Sequence, residues 1–162
     1  MCNDLLFARY IDMKKLFLIL VGTFVFSSFQ TVPVAGKILE FCKSNMGKKV
    51  DRGECWDLAY AALNSAGADW SAPFNFGDKI DLKKESLKPA DILQFTNVKF
   101  MFPNRSMSFP KHTAIVSKAE GGKILVYHQN FNNKRYVDTL TINLENIKNS
   151  KIEAYRPKGK SM

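Results

Sequence analysis

Three cysteines and two histidines are all the thiol and imidazole in this 162-residue chain. That scarcity excludes a disulfide scaffold, which needs more cysteines in a short exported chain. It also argues against a zinc centre, because Cys55, His112 and His128 offer no close-spaced ligand pair. Long apolar runs are missing too. The longest uncharged apolar stretch, Leu16 to Phe26, falls well short of the roughly 20 residues a membrane-spanning helix needs. The six prolines and nine glycines are spread out, with no repeat or low-complexity tract.

What is present begins with Met13-Lys14-Lys15, the Leu16–Phe26 run, and the small residues Ser27 and Ser28. This is the charged, apolar and small-residue order of a secretory signal peptide. On this reading translation starts at Met13, and residues 1–35 are an upstream segment plus signal. Cleavage would fall near Ser27, Ser28 or Ala35. A single domain over 36–157 and a polar tail over 158–162 would follow. The expected location is periplasmic or extracellular, without a lipid anchor. The formal charge is +9, and it becomes +8 without residues 1–35, which hold Arg9, Lys14, Lys15, Asp4 and Asp12. Basicity of this order favours anionic partners. The charges are scattered, however, so no specific nucleic-acid surface is expected.

Helical spacing of Ile38, Leu39, Phe41 and Cys42 predicts a first helix over 37–45. Cys55, Leu58, Ala59 and Ala62 predict a second from Cys55 to Ser65, stopped by Gly67. Cys42 is read as core and Cys55 as a free thiol. Leu87-Lys88-Pro89-Ala90-Asp91 reads as a turn feeding a strand, Ile92 to Phe95. Val98 to Pro110 reads as an irregular, apolar insertion that would fold over the core or wall a groove. Strands are expected over 111–117, 123–129 and 135–143, with a hairpin at Gly121-Gly122. A helical turn at 144–149 and a last strand, 152–157, complete the order. Helices followed by an antiparallel meander make an α+β layout, with the helices on one face of the sheet.

The chemistry concentrates in Arg52-Gly53-Glu54-Cys55-Trp56-Asp57. A cysteine in the first turn of a helix gains from the free N–H groups and the positive dipole end, which stabilise a thiolate. The same N–H groups suit a developing oxyanion. The plain alternative is a small apolar residue at a helix start. His112 and His128 lie on strands predicted to be neighbours, and the hairpin register brings the two imidazoles close. Thiolate, imidazole base and a third orienting group form a nucleophilic triad. The orienting group is left open among His128, Gln129 and Asn130, with Glu54 and Trp56 as further substrate-binding or orienting candidates.

The helix-start cysteine, Leu87-Lys88-Pro89-Ala90-Asp91-Ile92-Leu93-Gln94-Phe95, Lys111-His112-Thr113-Ala114-Ile115-Val116, and the polar end of the next strand together resemble the papain-like NlpC-type and CHAP families. The resemblance covers about Ile38 to Pro157. It implies Cys55 as nucleophile, His112 as base and His128 as its orienting residue. Ala90 departs from those families' usual glycine, and Lys111 from a glycine before the histidine. Gly53-Glu54-Cys55-Trp56-Asp57-Leu58 is also similar to a poorly characterised papain-like branch. The implied activity is a cysteine peptidase or amidase, monomeric and exported, with no cofactor or metal. Its implied substrate is peptidoglycan stem peptides or another amide-bearing envelope polymer. Deamidation or acyl transfer on the same fold, and an inactive envelope-binding module, are the alternatives.

Overall fold

Apolar residues at helical spacing build α1 (Val34–Ser44) and α2 (Cys55–Ala66) in a computed structural model that describes residues 33–102, 104–148 and 151–160. α1 buries Ile38 and Cys42, and α2 buries Leu58, Ala59, Ala62 and Leu63 on one shared core. Gly67 ends α2 in the left-handed conformation, with its N–H on the Asn64 and Leu63 carbonyls. α1 begins at Val34, and Val34 and Ala35 pack against this core. A domain boundary at residue 36 would therefore cut the first turn of α1. The signal-peptide assignment itself lies largely on residues outside those described.

The strands are β1 (Ala68–Asp69), β2 (Asp78–Ile80), β3 (Ile92–Phe102), β4 (Arg105–Glu120), β5 (Lys123–His128) and β6 (Asp138–Asn143), then β7 (Ile147–Lys148), β8 (Lys151–Arg156) and β9 (Lys158–Gly159). The main sheet runs β2-β8-β3-β4-β5-β6, with β7 also on β3. All its strand pairs are antiparallel, and the helices pack on one face, as an α+β layout requires. The last main strand, β8, is interior and not an edge: it pairs with both β2 and β3.

Three expectations change. Val98 to Pro110 is not irregular: β3 and β4 continue as a hairpin arm pairing Val98 with Phe109 and Phe102 with Arg105. The arm turns at Asn97, which has φ 51° and faces Pro110 where the pairing lapses. There the alternation of buried side chains shifts, so Phe95, Val98 and Phe100 all join the same core. Second, the strand expected from Arg135 forms only from Asp138. Third, the 158–162 tail is not wholly free, since Lys158–Gly159 pairs with β1.

The sheet is covered on both faces. Ile92, Ile115 and Tyr127 face the helices. Leu93, Ala114, Val116 and Val126 belong to a second core with Phe95, Phe100, Phe109 and Ile142. This two-sided burial decides where the histidines go.

Candidate functional site

The loop before Cys55 is held by side chains from distant positions. Gln129, fully buried, accepts from the Val50 N–H at 2.8 Å and donates to the carbonyls of Val50 at 3.1 Å and Glu54 at 2.9 Å. Gly53 adopts φ +89°, and a Cβ there would stand 2.8 Å from the Arg135 Cβ, so the close approach requires glycine. Asp57 accepts from the Glu54 N–H at 3.0 Å, closing the first turn of α2, and from Arg52 at 2.6 Å. Glu54 accepts from Asn130 and pairs with Arg135 at 3.1 Å. Four of the candidate residues (Glu54, Cys55, Gln129 and Asn130) are thus in one place, but Gln129 and Asn130 orient the loop and Glu54 and not an imidazole.

Cys55 is half-buried at the start of α2. Burial pushes its thiol pKa up. The Thr113 N–H, the Trp56 N–H and the Thr113 hydroxyl each pull it down, without reversing the shift, and the Glu54 carboxylate pushes it further up. The thiol is therefore protonated near neutral pH, among donors that could serve an oxyanion. Cys42 is a free, buried thiol pushed up to about 12 by burial, and belongs to the core.

His112 and His128 do come together, as the hairpin register implied: His112 Nε2 and His128 Nδ1 are 3.3 Å apart. They do so on the other side of the sheet from Cys55. Along β4, Thr113 and Ile115 face the helices and Cys55, whereas His112, Ala114 and Val116 face the second core. Thr113 donates to Gln94 at 2.7 Å, its cross-strand neighbour on the Cys55 side. His112 stacks on Phe109, with ring centroids 4.6 Å apart, and lies beside Phe95. His128 abuts Phe131. The structure thus places the two imidazoles together but does not bring either to the thiol.

Burial, then the neighbouring His128, hold His112 down at about 3. His128 is also lowered, by burial first, against an upward pull from Asp138 opposite it on β6. Both rings are neutral near pH 7. A cleft of about 190 Å³ opens beside His128, lined by Phe131, Lys134, Tyr136 and Asp138. Among the described residues no cluster of His, Cys, Asp or Glu could hold a metal ion, and no helix is long and apolar enough to cross a membrane.

The depressed histidine gives the fold a pH dependence. An unfolded histidine titrates near pH 6.5, so below that pH the unfolded chain binds a proton that folded His112 refuses. The contribution is complete above about pH 6.5 and is lost as the pH falls toward about 3. The slope is up to about 1.4 kcal/mol per pH unit for this group. Urea unfolding of wild type and His112→Phe between pH 7 and 4 checks this. The variant keeps an aromatic ring in the cluster and is expected to show the shallower loss. Parallel curves would show that His112 does not titrate on unfolding.

Residues 33–162 match the AIM3/BBC1 cysteine proteinase-fold domain. The chain belongs to that family. It is similar to Altered inheritance of mitochondria protein 3 of Debaryomyces hansenii, with 31% identity over 142 residues. That similarity takes in 74% of this chain and 15% of that much longer protein. Among solved structures, the crystal structure of Ly7917 with the hydrolyzing product of MDP superposes with a TM-score of 0.51 at 15% identity. It covers 76% of this chain and 62% of that one. A second crystal structure of Ly7917 gives 0.48 at 14% identity, over 75% and 62%. At such identity the likeness is one of fold, a cysteine-proteinase type with helices on an antiparallel sheet.

Within that family fold, two roles were not legible in the sequence. Asp91, from the Pro89-Ala90-Asp91 turn, is buried and takes two hydrogen bonds from Arg156, at 3.0 and 2.9 Å, and one from the Lys88 N–H at 2.7 Å. Ala90 beside it has φ 73°, the left-handed conformation that explains why a glycine suits this position. The other role is Thr113's, as the strand residue that meets Cys55. Alternation places Thr113 on the same face as Ile115, but both faces of β4 are buried, so it does not say which one meets the helices.

Proposed function

We propose that this chain is a non-hydrolysing member of the cysteine proteinase-fold family, a binding domain that retains Cys55 without an assembled base. One observation carries the reading. Successive residues of a strand point to opposite faces, and Thr113, not His112, occupies the face toward Cys55. An exposed, low-pKa thiolate beside an imidazole is the mark of a working thiol enzyme. Here the thiol is raised and both imidazoles are engaged elsewhere.

Iodoacetamide at pH 7.5, followed by mass spectrometry, tests this. Cys55 is expected to alkylate more slowly than an unstructured cysteine peptide, since a raised pKa and partial burial both leave less accessible thiolate. Faster alkylation than the peptide, reduced by His112→Ala, would overturn the proposal.

The rival reading is NlpC/CHAP-type thiol hydrolysis of an amide bond, with peptidoglycan stem peptides as the substrate class. Cys55 would be the nucleophile, His112 the base and His128 the orienting residue. Its support is the helix-start position of Cys55 with the Trp56 and Thr113 N–H groups around it, and the hydrolyzing product of MDP named with Ly7917. It would require β4 to slip by one residue, turning every side chain to the other face. Export to a cell envelope rests on the Lys14-Lys15 and Leu16–Phe26 pattern, and the similarity to the D. hansenii protein adds nothing to it.

A further inference from the structure

Lys83-Lys84 is the one basic doublet of the chain with a hydroxyl residue two positions on: Ser86 follows Glu85, and Leu87 comes next. The other doublets, Lys14-Lys15, Lys48-Lys49 and Lys134-Arg135, lead to Phe17, Asp51 and Val137. Two cations, a spacer, a serine and an apolar residue form a pattern that basophilic protein kinases select through acidic and apolar subsites. Short patterns of this kind recur by chance, so the surroundings of Ser86 decide.

Ser86 stands in an exposed, irregular segment between the turns at Asp81 and Pro89-Ala90. The first turn is held locally. The Asp81 carbonyl accepts from the Lys84 and Glu85 N–H groups, and its carboxylate accepts from the Lys83 N–H. A long-range bond comes from Arg156, whose Nη2 donates to the Ser86 carbonyl at 3.1 Å, whereas the Ser86 hydroxyl has no partner among the described residues. Opening these few bonds exposes an extended peptide without disturbing either core.

The same surroundings suit a phosphorylated product. Arg156 gives Nε and Nη2 to Asp91, at 3.0 and 2.9 Å, and extends Nη1 to Glu85 at 3.3 Å on the exposed side. A dianionic phosphate on Ser86 would take the place of the Glu85 carboxylate on that guanidinium, with shorter and stronger charge-assisted bonds. Lys83, Lys84 and Lys88 are exposed on either side of it and would offset its remaining charge.

We propose that Ser86 is a phosphorylation site for a basophilic protein kinase, and that its phosphate, gripped by Arg156, ties the 82–88 segment to β8. The Ser86 oxygen attacks the γ-phosphorus of ATP, the bond to the β-phosphate oxygen breaks, ADP leaves, and the serine proton passes to the kinase's base. Lys83 and Lys84 thus serve twice, first in recognition by the kinase and then in neutralising the product. The site is independent of Cys55 and goes beyond the binding role proposed for the fold.

Incubation of the full chain with ATP, magnesium and the catalytic subunit of cyclic-AMP-dependent protein kinase tests this, with the sites mapped by mass spectrometry. Wild type is expected to gain one phosphoryl group on the Ser86 peptide, and Ser86→Ala to lose it. Lys83→Ala/Lys84→Ala is expected to slow the transfer about tenfold or more, since both selecting contacts are gone. Circular dichroism and melting of these variants establish that they fold. Phosphorylated wild type is expected to melt about 3 °C higher than the unmodified chain, as one or two new charge-assisted bonds imply. Arg156→Lys keeps a cation at Asp91 but lacks the fork, and is expected to lose most of that rise.

Absence of Ser86 phosphorylation, with the kinase active on a reference peptide, would overturn the proposal. So would an unchanged rate in the folded double-lysine variant. A melting temperature that is unchanged or lower after phosphorylation, or an equal rise in Arg156→Lys, would overturn the grip by Arg156.

Discussion

Arg156→Ala is expected to destabilise the domain by about 3 kcal/mol, the low end for a broken buried ion pair because Arg156 keeps some contact with water. The carboxylate it leaves behind is the reason. Asp91 is 1% exposed and would retain only the Lys88 N–H. Unpaired, a buried carboxylate costs far more than the pair contributes over a neutral replacement. Arg156→Ala/Asp91→Asn is therefore expected to recover part of the loss, because the second change removes the stranded charge. Urea unfolding of the three proteins measures this as midpoint shifts at constant slope. If the double variant is no more stable than Arg156→Ala alone, the charge on Asp91 is not the source of the cost.

Gln129→Leu is expected to cost about as much, roughly 3 kcal/mol, through hydrogen bonds and not through volume. Leucine nearly fills the glutamine site, yet it strands the Val50 N–H and the Val50 and Glu54 carbonyls beneath the loop. Such groups cost about 1–3 kcal/mol each when buried without a partner, and water reaching the loosened loop returns some of that. The same change has a chemical readout. With the 50–54 loop released, Cys55 gains solvent, the burial that raises its pKa weakens, and its alkylation is expected to accelerate. Loss of stability with no change in Cys55 reactivity would confine Gln129 to a packing role.

How far these features could be read in the sequence follows from how each is specified. α2 was legible because Cys55, Leu58, Ala59 and Ala62 keep one face apolar and Gly67 stops the helix. The proximity of His112 and His128 was legible because Gly121-Gly122 fixes the β4–β5 register. The face on which they meet was not. Thr113 and Ile115 are buried on one side, His112, Ala114 and Val116 on the other, so alternation along this strand carries no inside–outside signal. The β3–β4 arm was missed for a related reason: Pro103, Pro110 and dense apolar residues read as irregular, and only the cross-strand pairs reveal a hairpin. The Asp91–Arg156 pair, 65 residues apart, has no local signature at all.

β8 brings residues 151–156 between β2 and β3. A chain emerging from the ribosome N-terminus first therefore makes both helices and the β3–β6 strands before β8 can seat on β3, and the 78–80 segment, which pairs with β8, has no strand to join until then. Until that segment arrives, Ile92 to Thr96 show one set of open ladder groups and Asp91 has no guanidinium. Nascent chains stalled before residue 151 should be protease-sensitive as a whole, and chains extended past Arg156 should become resistant in a single step.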